Sequence, residues 1–413
     1  MAPSRRALRW TVFLLALLPF GCDRRPAEDA SPKEASCRTG ALADKPIAPF
    51  QKDLLEVAFR AAMAIPVEPH LRTRCRTQEE VVATCLQLDQ PKRAIGYLEQ
   101  IKDWRRGAAY ADLAFYCVQH GLTDDVQTYL DLAARIAEAA GPDWARDRVR
   151  VKIARTYALL EQKEQAERFE AGVPESETGK VAAVRAQYGE ESFEEQMEGL
   201  ERLLGSQQFD IIRNALESSV ALFDRFYGDA ERRPQVEEAI RASWEKMPLL
   251  VRIDLVMRLG ECAAKHGDGT KALELFNEAQ AWLEGEEWPL RFRIPLTARV
   301  AEGRFRAGDA PKARADADAA LALFDAEKEQ MVDIDRATAL HPLAEAYQAM
   351  GDPAAALGVY KRAVEEGVVN VNSRPRAEDL SATCCSMALH AVEPDAELWT
   401  RIRQIGKGLG PPW

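Results

Sequence analysis

Beyond residue 20 the sequence has no apolar run of spanning length, so a second membrane-crossing helix is excluded and a soluble body is expected. Strand-like alternation is nearly lacking from residue 50 onward, which argues against a sheet-built core. With 24 Gly and 22 Pro among 413 residues, the chain is neither fibrous nor wholly disordered. Basic residues are outnumbered 66 to 55 and spread thinly, for a net charge of −11. Phosphate-backbone binding needs a basic footprint on one face, so nucleic acid is not an expected partner. None of the five histidines has the His-Glu-x-x-His spacing that sets two zinc ligands and a base on one helical face. A Gly-x-Ser-x-Gly nucleophile turn is missing. Gly179-Lys180 is followed by Val181, and Pro174 stands where a phosphate loop would need its first glycine. These gaps predict a non-catalytic chain with no metal and no cofactor.

What is present begins with an export pattern. Arg5, Arg6 and Arg9 precede the apolar run Trp10–Phe20, and Gly21-Cys22 follows. A positive segment, a short apolar run and a small residue have the layout of a secretory signal. The cysteine after the small residue makes it resemble a bacterial lipoprotein signal, although Pro19 occupies a place where such signals usually carry Leu. The resemblance implies removal of residues 1–21 and lipidation of Cys22, which would hold the protein at the cell envelope. Residues 22–46 are rich in Pro, Ala and charge, and read as a flexible tether with a reach of about 25–30 Å. The seven other cysteines cannot all pair. Cys85, Cys117 and Cys262 fall near helical apolar seams and read as buried thiols. A Cys37–Cys75 bridge is a further option.

The body repeats one phrase, an apolar helix, a turn often written Gly-Asp, and a helix with small residues every three or four places. Leu340–Ala363 shows it most clearly. Leu340, Leu343, Ala344 and Tyr347 line one helix, Gly351-Asp352-Pro353 turns, and Ala356, Tyr360 and Ala363 line the next. Two further copies turn at Gly267-Asp268 and Gly308-Asp309, and weaker ones centre on Asp89, Gly121 and Glu161. The pattern is similar to the tetratricopeptide repeat, whose small and large positions fall at these offsets. That resemblance implies an all-α solenoid of antiparallel helix pairs with a concave groove that binds protein or extended peptide.

The expected organisation is a signal at 1–21, a tether at 22–46, repeats at 47–171, a joint and degenerate repeats at 172–246, repeats at 247–375, and a capping pair with tail at 376–413. Aligned on their turns, the three good copies place Glu261, Glu302 and Glu345 at one position, six residues before each glycine. The resemblance puts that position on the groove side. Earlier copies hold Phe115 and Arg155 there. Arg258 and Arg299 lie three residues before the first two glutamates, so these residues form either i, i+3 ion pairs on a solvated face or a partner-binding row. Such a row would suit a basic or amide-rich segment. The family's peptide-carboxylate clamp is not expected, because Met257, Ala298 and His341 occupy its lysine place. Between two repeats, Glu286–Leu296 carries Trp288, Phe292 and two prolines. It reads as a contact loop or as a joint whose aromatics fill the core. Two other functions fit a helical-repeat lipoprotein, namely capture of a glycan or nutrient and a part in outer-membrane assembly.

Overall fold

The computed structural model describes residues 42–189 and 192–413, and all that follows concerns the compact unit Arg38–Trp413. The expected signal, Cys22, Cys37 and most of the tether lie outside the described residues. Helices run α1 (Pro49–Ala64), α2 (Val67–Gln87), α3 (Pro91–Leu98), α4 (Arg105–Gln119), α5 (Val126–Glu138), α6 (Asp143–Leu159) and α7 (Lys163–Glu170). They continue with α8 (Gly179–Tyr188), α9 (Phe193–Leu204), α10 (Phe209–Arg225), α11 (Arg232–Ala242), α12 (Leu249–Lys265) and α13 (Gly269–Gly285). The last six are α14 (Leu290–Arg306), α15 (Ala310–Glu327), α16 (Asp333–Ala349), α17 (Pro353–Glu366), α18 (Ser373–Leu389) and α19 (Ala396–Lys407). No strand occurs among the described residues, and the fold is all-α with solenoid-like helix pairs.

The turns follow directly from the sequence. Gly121, Gly267, Gly308 and Gly351 have φ of 70°, 77°, 98° and 78°, the left-handed region that ends a helix without steric cost only in glycine. Asp89, Glu161 and Ala391 hold the same conformation at 55°, 59° and 52°. At all seven the amide of the next residue bonds back to the carbonyl five residues upstream of itself, as in Asp268 N to Ala263 O (3.0 Å) and Val392 N to Met387 O (3.0 Å). Asp268, Asp309 and Asp352 then cap the following helix by accepting from the amides of Lys271, Lys312 and Ala355.

Even-numbered helices pack on one another in succession from α2 to α18, while contacts between odd-numbered ones are sparse. The even set is therefore the inner layer. It does not end. Helix α18 packs on α2, and α1 packs along α18 far more extensively than the following α19 does, serving as its outer partner. The expected cap at 376–413 is thus corrected: α18 is an interior member of a closed ring, with Cys384, Met387 and Ala388 fully buried. A helix buried round most of its circumference has neighbours on more than one side, which an end cap does not have. Nine inner helices spaced by about 9 Å enclose an opening roughly 15 Å across once the helix radius is subtracted.

The tether is also shorter than expected. Asp44 accepts from the Lys92 amide (2.7 Å), and Lys45 pairs with Asp89 (2.7 Å) and donates its amide to the Asp89 carbonyl (2.9 Å). In 172–246 the pairing is irregular: α8 lies against α10, and both α9 and α11 pack on α10. Gly179 permits this, because a Cβ there would stand 2.7 Å from the Asn214 backbone oxygen. Cys75, Cys85, Cys117, Cys384 and Cys385 are buried free thiols, and Cys262 is half-buried.

Candidate inner-ring binding surface

Several inner helices carry a polar row at helical spacing. On α12 the row is Asp254, Arg258 and Glu261; on α14 it is Arg299, Glu302 and Arg306; on α6 it is Arg148, Lys152 and Arg155. Spacings of three and four keep one face of a helix in register. Ion pairs then join neighbouring inner helices. Arg76 of α2 pairs with Glu378 of α18 across the ring closure, and Glu79 meets Arg105 at 3.3 Å. Asp112 of α4 holds both Lys152 and Arg155 of α6, the latter at 3.0 Å. Glu217 of α10 accepts from Arg258 (3.0 Å), and Asp254 accepts from Arg299 (2.9 Å).

The sequence-predicted residues are all here, but their bonding differs from either expectation. Arg258 and Arg299 do not pair with the glutamates three residues on in their own helices. They reach back to the preceding inner helix, and Arg299 also lies 3.6 Å from Glu261. Closely packed inner helices bring those acids nearer than one turn of the same helix does. Glu302 is held by Arg306. Glu345 accepts from the Ser386 hydroxyl (2.7 Å) and lies 3.6 Å from His390 Nε2. The acidic row is therefore largely satisfied by the protein itself. Burial pushes the Glu302 carboxyl upward, outweighing Arg306, and Glu345 adds repulsion. His341 is buried against Thr383 (2.8 Å), and burial depresses its imidazole to about 4.

Trp288 and Phe292 do not form an exposed loop. Trp288 is half-buried and donates Nε1 to the Trp282 carbonyl (3.3 Å), while Phe292 sits in the first turn of α14 and packs on the core. Pro295 lies inside α14, so the helix continues through the stretch expected to interrupt it. As the sixth residue of the helix, Pro295 removes the amide that would otherwise bond back to the Arg291 carbonyl.

The basic wall of the ring was not singled out from sequence. Lys152, Arg155 and Lys180 lie within electrostatic reach of one another and of Asp112. The Arg155 guanidinium also stacks over Phe115, 3.9 Å from its centroid. Register had already placed Phe115 and Arg155 at equivalent positions of successive repeats. Crowding by the surrounding protein, and then its basic neighbours, lower the Lys180 ammonium below its ordinary value although the residue stays exposed. On α2, burial raises Glu80 to about 7 although 55 % of its side chain stays accessible, as a group in a confined aqueous space would be. Outside the ring, a cleft of about 750 Å³ between the start of α4 and the end of α5 is lined by Trp104, Arg106, Tyr110, Arg135 and Ile136. No helix among the described residues is long and apolar enough to cross a membrane.

No protein-family model matches the chain, and no curated protein does so. Among solved structures it is similar to a circular tandem repeat protein with novel repeat topology and enhanced subunit contact surfaces, at 16% identity and a TM-score of 0.24, covering 87% of this chain and 94% of that one. The chain has the fold of an all-α helical-repeat protein.

Proposed function

We propose that this protein is an exported, lipid-anchored, tetratricopeptide-like scaffold that binds an extended protein or peptide segment on its inner face and catalyses no reaction. The observation that carries this reading is the unbroken succession of inner helices whose polar rows share one surface. An extended strand is about 10 Å across, which the opening accommodates. Salt should weaken the interaction, because charged side chains dominate that surface.

Site-specific photo-crosslinking tests the reading. A crosslinker replacing Glu261 or Glu345 should capture a protein in intact cells, whereas one replacing the outward-facing Glu274 should not. Equal capture from both faces, or none from the inner one, would refute it. Anchoring rests on the lipoprotein-like pattern around Cys22, and Cys22→Ala should shift the protein from the membrane to the soluble envelope fraction. Unaltered membrane retention, with no lipid mass on the wild-type N-terminus, would remove the anchor from the reading.

A further inference from the structure

The inner ring is not evenly balanced. Most inner helices meet across an ion pair, but the junction of α6 and α8 brings together three cations. Lys152 and Arg155 share one carboxylate, Asp112. Lys180, exposed in the first turn of α8, makes no ion pair among the described residues and adds its charge to the positive end of that helix. Nearby acids are shared with other arginines: Glu217 lies within reach of Lys180 but pairs with Arg258 at 3.0 Å, and Glu79 lies within reach of Lys152 and 3.3 Å from Arg105. Three cations against Asp112, with Glu79 and Glu217 shared with other arginines, leave a local positive excess.

The arginine is also held in place for a ligand. Its Nη2 donates to Asp112 (3.0 Å) and its plane lies on Phe115, while its buried Nε has no acceptor among the described residues. An unsatisfied buried donor is costly unless something fills the gap. Gly179 fixes the third member, since its close approach to Asn214 clamps the start of α8 to α10 and sets where Lys180 stands.

We propose that Lys152, Arg155 and Lys180 form a phosphoryl-binding site on the inner wall of the ring, serving either free phosphate or a phosphomonoester carried by a larger ligand. A phosphate monoester carries a charge of about −1.5 to −2 at neutral pH, which offsets the local excess, and its three oxygens match donors arriving from two helices. This inference rests on reading the inner face as the binding surface, and it names the group that surface selects.

Isothermal titration of the full chain at low ionic strength, with inorganic phosphate, glycerol phosphate and succinate as probes, tests it. Saturable binding of phosphate or of the ester is expected, with succinate clearly weaker, and the tighter of the two phosphorylated probes identifies the source. Arg155→Gln and Lys180→Gln should each weaken binding roughly tenfold, as loss of a charge-assisted hydrogen bond does. Lys180 is exposed, so that variant keeps the fold even if Arg155→Gln does not, and Arg401→Gln on α19 should leave binding unchanged. Absence of saturable binding, unaltered affinity in Lys180→Gln, or equal affinity for succinate would overturn the proposal. If that happens while inner-face crosslinks persist, the phosphoryl site falls and the scaffold reading stands.

Discussion

Glu80 shows what the ring does to a single residue. Its carboxyl faces Arg76, which favours the charged form, and Glu378 and Glu79, which oppose it; Arg105 adds a smaller attraction. Burial dominates, and the group is held near 7 rather than in the ordinary carboxylate range. The folded state therefore binds a proton more readily than the unfolded chain does. Its contribution to stability is complete below the unfolded value of 4.5 and is lost as pH rises through about 7. Glu80→Gln should accordingly melt at the same temperature as the wild type at pH 4 and at a higher one at pH 8. Melting curves at the two pH values check this, and a lower melting point for the variant at pH 8 would show that Arg76 governs the site instead. His341 acts in the opposite direction on acidification. Its imidazole is kept neutral down to about 4, so its contribution holds above 6.5 and drains away as pH falls through 4.

Among the elements, α13 and α14 meet with the least room. A Cβ at Gly303 would stand 2.2 Å from Phe276 Cζ, and one at Gly260 would stand 3.0 Å from the same atom. The ring of Phe276 is thus wedged between two inner helices at glycines, fully buried. Gly303→Ala should cost roughly 1–3 kcal/mol by overpacking, and Phe276→Leu in the same chain should recover part of it by freeing space. Gly358, with nothing within 4 Å of its would-be Cβ, is the contrast: Gly358→Ala should stabilise by about 0.5–1 kcal/mol. Denaturant titration of the three variants decides, and a neutral Gly303→Ala would mean the crossing is looser than described. Beside this crossing, Arg304 and Asp316 form a buried ion pair, with Arg304 also donating to Asn277 Oδ1 (2.7 Å). Local pattern carried much of this layer. The turns at Gly267, Gly308 and Gly351, and the weaker ones at Asp89, Gly121 and Glu161, were all legible. The seventh, at Ala391, was not, because a left-handed alanine leaves no mark in a sequence. Nor was the pairing of Arg258 and Arg299, since partners 41 and 45 residues away depend on how inner helices stack, not on periodicity within one helix. The basic wall was hidden for the same reason, and because α6 carries Arg at several positions around its circumference.

For the molecule as a whole, the decisive feature is closure. A repeat pattern fixes how each pair stacks on the next but is silent on whether the superhelix meets itself, because small rotations accumulate over many repeats. Here Gln51 Nε2 donates to the Ala388 carbonyl (2.7 Å) across 337 positions of sequence. Closing a loop of that length costs on the order of 5 kcal/mol in chain entropy. Burial of Leu54 and Leu55 on α1, each 0 % exposed, returns roughly 2 kcal/mol apiece, and Ala58 and Ala62 add to it, while Phe59 stacks instead on Tyr97 of α3 (4.0 Å). Closure is thus favourable by a margin that depends on α1. In an open solenoid α1 would be a terminal helix, free to fray, with exchange far faster than the middle of the stack. In the closed ring it is an interior element and should share the protection of α14 and α16. Hydrogen-exchange mass spectrometry of residues 49–64 distinguishes the two. Leu55→Ala should then lower the protection of α18 together with α1, leaving α12 little changed. Rapid exchange across α1 in the wild type, or an α18 indifferent to that substitution, would mean the ring is open at this seam.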